Sequence, residues 1–458
     1  MKIKNIKILI LASTLGIFSS CSEDFLEPSL EQAATTDAGL STYEDVLAVN
    51  YGTYDIMNDY QYYGREYIVY GSVRSDDAFS TGNSGRFYSQ GNFNLTSANT
   101  DADDWAHPYQ AIANANLVIN ADLEDDADIN HVVGQAYAIR ALAHMDLLRL
   151  FGQQYVNGTL GIPYITENVT GVSYPARNTV DEVWQYAEED LNTALSLMSE
   201  DLNTSTPIEL TTWGVYGILS RLYLFSEDYD KLIEVSETII NSGEFSIISE
   251  GNVESSWASG DVTENSLFEL NITSQDASTY NNIGYIYQET SYGDVEVTED
   301  LYNIYEDSDV RKSLLALTVD GTDTTYRMVG KYPTLLGTDN IKVIRYEEII
   351  LNYVEALYAT GNTSQALQYL NMIPENRGAS TYTEVTEDNI LLERRKELAM
   401  EGHRFFDLMR YGRDIEKVDD GQLYSGGEGI SYGDTRLAFP IPIHEVNANS
   451  SMVQNDGY

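Results

Sequence analysis

The chain has 458 residues, with 26 Lys and Arg against 72 Asp and Glu, a formal net charge of −46. That balance argues against nucleic acid and anionic membrane surfaces as partners, because both are gripped through clustered Lys and Arg. A hydrophobic content of 43% and an aromatic content of 11% argue against disorder, and a single cysteine leaves no internal disulfide or cysteine-based metal site.

Lys2, Lys4 and Lys7 open the chain, and Ile8 to Phe18 is an almost wholly apolar run. A membrane-spanning helix needs about 20 apolar residues, so this run has the length and flanks of a secretory signal segment. Small Ser19 and Ser20 come directly before Cys21, an order that resembles the bacterial lipobox. Residues 1–20 are therefore expected to be a lipoprotein signal peptide and Cys21 the acylated first residue of the mature chain. Residues 21–42, acidic and small, read as a lipidated tether, and 43–458 as one ligand-binding domain.

Amphipathic helices follow, recognised by apolar residues at spacings of three and four. Residues 134–152 place Ala138, Leu142, Met145 and Leu148 on one face. The stretch from Thr179 opens with a capping box, Thr179 and Glu182, and continues in the stripe Val183, Ala187, Leu191, Ala194, Met198. Two later segments share one plan of helix, turn, helix. In the first the turn is Ser226–Tyr229 and the second helix stops at Gly243; in the other the turn is Thr360–Thr363. Aligned on the turns, Leu222 matches Ala356, Leu232 matches Ala366 and Ile233 matches Leu367, the pattern of a tetratricopeptide-type hairpin. Residues 390–412 read as one last helix, with the charges of "ERRKE" pairing along it. Between the helices, 71–104, 153–178, 244–299, 318–340 and 418–443 lack helical periodicity and are long enough to be functional loops.

The chemistry of a catalytic centre is hard to find. The five histidines are scattered, and His144 and His403 read as core or interface residues. No Gly-x-Ser-x-Gly elbow is present. "DADIN" from Asp126 alternates oxygen ligands, but His131 and Tyr137 stand where a calcium loop needs glycine and a bidentate acid. No cofactor, metal site or catalytic residue is expected. With 72 acids, a pair of glycosidase carboxylates stays open as an alternative.

Tyrosine is what stands out: 35, against 12 Phe. Tyr280, Tyr285, Tyr287 and Tyr292 crowd one non-helical segment, and Arg86, Phe87, Tyr88 and Phe93 another, near Arg74, Asp76 and Asp77. Aromatic faces stack on sugar rings while amides and carboxylates bond hydroxyls. These residues, with Trp257 and then Trp105, are the ligand-binding candidates; loop packing is the competing reading for each.

Taken in order, "CSEDFLEP", "AYAIRALAHMDLLRLFG" with "GIP", "YEEIILNYVEALYATGN", "ERRKELAMEGHRFFDLMRYGR" and "FPIPIHEVNANSSMVQNDGY" resemble the signature segments of the SusD/RagB family of Bacteroidetes. Pro374 departs from the arginine usual there. The resemblance implies a mainly α fold, with tetratricopeptide-like helical hairpins as scaffold and long loops and short β-strands as a ligand face. It also implies a glycan or oligosaccharide ligand, no catalysis, a SusC-like TonB-dependent porin as partner, and outer-membrane localisation facing the cell exterior, anchored by lipid alone. The net charge favours a neutral glycan. A secreted glycoside hydrolase and a repeat-type protein adaptor are the rivals.

Overall fold

The computed structural model describes residues 40–258, 262–288 and 292–458. Cys21, the signal segment and nearly all of the tether lie outside the described residues. Mainly helical, the chain runs through α1 (Tyr43–Asn58), α2 (Glu66–Val73), α3 (Asp103–Ile119), α4 (Ala127–Phe151) and α5 (Val180–Leu197). It continues in α6 (Thr212–Phe225), α7 (Tyr229–Ser242), α8 (Tyr346–Ala359), α9 (Thr363–Glu375), α10 (Glu387–Glu397) and α11 (Arg404–Arg410). Apart from α2, which packs on α11, the helices from α1 to α9 pack against their neighbours in turn: α1 on α3, α3 on α4, α4 on α5, α5 on α6, α6 on α7, α7 on α8 and α8 on α9.

Local sequence accounts for most of these ends. Thr179 and Glu182 form the capping box expected of them at the start of α5. Asp126, considered above as a calcium ligand, instead caps α4 by accepting from the Asp128 N–H. Gly243 ends α7 at φ 72, where glycine has no Cβ to clash. Both hairpins form, and Leu222, Leu232, Ala356 and Ala366 are buried at their seams.

The expected single helix over 390–412 is two. α10 stops at Glu397 and α11 starts at Arg404, with Met400 at φ 62 and Gly402 at φ 83 between them. The cause is a backbone crossing with α2. A Cβ on Gly402 would come within 2.9 Å of Ile68 Cα, and one on Gly71 would overlap the Gly402 carbonyl. Nor do the charges of "ERRKE" pair along the helix. Arg395 reaches Asp77 at 2.6 Å and Arg394 reaches Asp407 at 3.1 Å, while Glu397 receives Arg311, Arg345 and Arg377 at 3.0, 2.8 and 2.8 Å. Nearly all of α10 is buried, so its charges find partners on other elements rather than in water.

Among the described residues eight short strands form four two-stranded antiparallel sheets. β1 (Ala78–Ser80) pairs with β3 (Val295–Val297), β2 (Ser266–Leu270) with β6 (Ile341–Arg345), and β4 (Leu315–Asp320) with β5 (Asp323–Met328). The last pair is β7 (Ile415–Glu416) with β8 (Gly429–Ile430). The β1–β3 pair matters most for function, because its register, Ser80 opposite Val295, joins the two loop regions richest in candidate residues.

Candidate ligand-binding site

Beyond β1 and β3 the two strands' loops are tied together by one buried carboxylate. Asp294 accepts from the Ser84 N–H at 3.0 Å, the Ser84 hydroxyl at 2.8 Å and Arg86 Nη1 at 3.4 Å. Thr81 N–H adds a bond to the Asp294 carbonyl at 2.9 Å. Arg86 then lies over the Tyr292 ring, its guanidinium carbon 4.6 Å from the centroid, and donates from Nη2 to Asn281 Oδ1 at 3.1 Å. Asp294 offsets its charge, so the arginine acts as a strut across the two loops more than as a free cation.

The neighbouring turn is held as firmly. Asn282 caps a one-turn helix, Ile283–Tyr287, by accepting from the Tyr285 N–H at 2.8 Å, and its amide donates to the Leu335 carbonyl at 2.9 Å. Three tyrosines are thereby brought into contact. Tyr280 meets Tyr285 edge to face at 5.2 Å, and Tyr285 meets Tyr292 in the same way at 5.4 Å, the arrangement that ring quadrupoles prefer. Tyr280 is 62% and Tyr292 42% exposed, with Tyr285 half-buried between them. Amide groups flank the rings: Asn83 is exposed and Asn281 half-buried. Tyr88 is exposed nearby, its ring against Gly82, where a Cβ would stand 3.2 Å from it. The result is an apolar platform of fixed ring orientations with hydrogen-bonding groups beside it, which is what a flat, hydroxyl-rich ligand requires.

Several residues expected to touch ligand are instead enclosed in the fold. Tyr287 is wholly buried, because it faces the core side of the one-turn helix that carries Tyr285 outward. Arg74 is buried among Phe93, Phe405 and Phe439 and donates to the Arg436 and Leu437 carbonyls; burial lowers it to about 9. Asp76 takes two hydrogen bonds of 2.7 Å from Arg404, and Asp77 takes Arg395. Trp257 covers a cationic cluster, with Lys331, Lys342 and Arg345 at 5.2, 5.5 and 5.9 Å from its ring. Trp105 is core, stacked edge-on against Phe151. Asp294, Asn281 and Asn83 were not singled out from sequence. Neither were Leu335 and Leu336, exposed beside the Asn282 turn, although an apolar pair in a Gly- and Thr-rich loop was a readable signal.

A larger cavity, about 910 Å³, lies between α3, residues 163–175 and residues 445–452. Its wall is mostly apolar, and the amides of Asn116 and Asn449 there are occupied by the Ile165 and Pro175 carbonyls. Among the described residues no group of His, Cys, Asp and Glu is arranged to hold a metal ion, and no helix is long and apolar enough to cross a membrane.

Comparison with known proteins agrees with this architecture. A family described as "Starch-binding associating with outer membrane" matches residues 24–224, and the SusD family matches residues 330–458. A crystal structure from Bacteroides vulgatus ATCC 8482 superposes with a TM-score of 0.83 at 30% identity, covering 92% of this chain and 99% of that one. A SusD-like protein of Bacteroides ovatus is 24% identical over 480 residues, spanning 89% of this chain and 82% of that protein. The starch-binding protein SusD of Bacteroides thetaiotaomicron is 31% identical over 142 residues, 29% of this chain and 24% of that protein. With the two family models matching residues 24–224 and 330–458, and a solved relative at 30% identity sharing the scaffold over 92% of this chain, the chain belongs to the SusD family.

Proposed function

We propose that this protein captures a glycan at the cell surface on the Tyr280–Tyr285–Tyr292 platform and passes it to a SusC-like TonB-dependent porin, without chemistry of its own. The observation that carries this reading is the convergence of three accessible tyrosines from a segment that also supplies Asn281, with Arg86 joining them from a second loop. The starch-binding description of the matched family supports it. In this reading Cys21 carries the lipid that holds the mature chain, residues 21–458, to the outer membrane, and residues 43–458 form the ligand-binding domain. A neutral oligosaccharide is the favoured ligand, since the net charge of −46 repels polyanions and Arg86 is offset by Asp294.

Calorimetric titration against a panel of neutral and acidic oligosaccharides tests the site. Tyr285→Ala and Tyr292→Ala should each weaken binding about 5- to 150-fold, as expected for a lost stacking surface of about 1–3 kcal/mol, with little change in melting temperature. Unchanged affinity in both variants would move the site elsewhere. Oligosaccharides recovered after incubation should keep their length; shortened products would favour the hydrolase. For the anchor, labelled fatty acid should enter the wild-type protein and not Cys21→Ala, which should leave the membrane fraction while remaining folded. Co-purification of a porin from outer membranes is expected in the wild type.

A further inference from the structure

The two oxygens of Asp294 serve different ends. Gly85, at φ 85, turns the 81–86 loop so that Ser84 and Arg86 both meet this carboxylate. Oδ1 accepts the Ser84 N–H at 3.0 Å, which ties one loop to the other. Oδ2 accepts the Ser84 hydroxyl at 2.8 Å and Arg86 Nη1 at 3.4 Å. Tying the loops needs only an acceptor, and an amide oxygen would serve. What a carboxylate adds is charge. Asp294 is fully buried, so salt screens it poorly and the Arg86 cation beside it feels that charge.

Arg86 is the cation that a ligand on the platform would meet. Its guanidinium lies over the Tyr292 ring, and 29% of its side chain is exposed. Nη1 donates to the Ser84 hydroxyl at 3.1 Å as well as to Asp294, and Nη2 to Asn281 Oδ1, but Nε has no acceptor among the described residues. Two other arginines reach these loops, and both have acids of their own. Arg65 donates to the Asn281 carbonyl at 2.9 Å and pairs with Glu66. Arg327 donates to the Gly293 and Val295 carbonyls and pairs with Glu296 at 2.7 Å. A guanidinium with an unused N–H beside an aromatic face is a ready site for a carboxylate or sulfate group. Here Asp294 already offsets it.

We propose that Asp294 is a specificity-determining residue of the platform, setting its preference for neutral over acidic glycans by cancelling the Arg86 cation without touching the ligand. The inference rests on the glycan reading above and adds what selects among ligands at that site. Repulsion from the net charge of −46 acts on every acidic ligand alike and barely changes with one substitution, so it drops out when variants are compared. In Asp294→Asn the amide oxygen keeps the Ser84 N–H, and the Ser84 hydroxyl turns to accept from the new amide. The loops stay tied and the charge is gone.

The test compares calorimetric affinities for two ligands that differ in one group: an oligosaccharide bearing a single uronic acid, and its carboxyl-reduced form. The wild type should prefer the reduced form. Asp294→Asn should move the acidic-to-neutral affinity ratio about tenfold toward the acid, equivalent to about 1.4 kcal/mol and of the size of a hydrogen bond to a charged group. Added salt should shrink that gain. Adding Arg86→Gln to Asp294→Asn should return the ratio to the wild-type value. A wild type that prefers the acid, an unmoved ratio, or a gain that survives Arg86→Gln would overturn the proposal. Should Asp294→Asn not fold, Arg86→Gln alone decides: it leaves Asp294 uncompensated and should push the ratio further toward the neutral ligand, and an unchanged ratio rejects the idea. An arm without sugar separates this inference from the glycan reading. With arginine ¹⁵N-labelled, the Arg86 Nε–H, assigned with Arg86→Gln, should respond to sodium sulfate at about tenfold lower concentration in Asp294→Asn than in the wild type. If neither oligosaccharide binds the wild type, the glycan reading fails and the sulfate comparison decides this one, with equal midpoints rejecting it.

Discussion

Among the described residues Asp104 holds a single hydrogen bond, from the Tyr70 hydroxyl at 2.8 Å, and its other oxygen has no partner there although the residue is buried. Burial first, and then the Glu66 carboxylate, push its pKa well above the usual carboxylate range. A folded pKa above the unfolded one means a contribution that is fully present below about pH 4 and lost as pH rises through the folded value. Asp104→Asn keeps an acceptor for Tyr70 and removes the charge. Its melting temperature should exceed the wild type's at pH 8 and match it near pH 4; a lower value at pH 8 would reveal a partner for the carboxylate. His144 works in the opposite sense. Its Nδ1 bonds the Arg140 carbonyl at 2.8 Å, its Nε2 accepts from the Ile165 N–H at 3.0 Å, and the ring stacks on Tyr164 at 3.7 Å. These bonds assign the neutral tautomer, and burial pushes the imidazole down to about 3. Its contribution is therefore full above pH 6.5 and lost as pH falls toward 3. The His144 ring resonances should stay constant from pH 8 to 5, and a midpoint near 6.5 would contradict the burial.

Among the elements, the hairpins were legible because their signals are local: apolar residues three and four apart, a cap, a turn. The break between α10 and α11 was not. Nothing in the residues from 390 to 412 except Gly402 marks it, and its cause lies in α2, more than 300 positions earlier, where Ile68 and Gly71 press on the Gly402 backbone. Gly402→Ala combines left-handed strain with a contact against backbone that cannot yield. It should cost about 2 kcal/mol or more in urea unfolding. A change under about 0.5 kcal/mol, the range of a neutral surface substitution, would mean the crossing is loose.

Across the whole molecule, the scaffold is cross-braced by buried ion pairs. Burial alone would raise the Glu397 pKa, but Arg377, Arg345 and Arg311 together hold it well below the carboxylate range. A folded pKa below the unfolded one gives stability that is present above about pH 4.3 and lost as pH falls. Glu397→Gln leaves three buried guanidinium groups short of a counter-charge and should cost about 3–5 kcal/mol at neutral pH, with the deficit against wild type shrinking in acid. An equal deficit at pH 7 and pH 3 would show that packing, not charge, was lost.

What the sequence by itself determined was whatever the chain writes within a turn or two of helix: the capping box of α5, the paired hairpins, and the two tyrosine- and arginine-bearing loops worth inspecting. Tertiary structure decided which members of those loops reach the surface. Tyr285 and Tyr287 share one helical turn, yet one stands in the platform and the other is sealed against the core. Arg395 sits in a run that reads as self-paired, yet its partner Asp77 lies 318 residues away. Helical periodicity is a property of neighbours in the chain, whereas exposure and ion pairing in a buried scaffold depend on which distant backbone arrives alongside, and no local pattern records that.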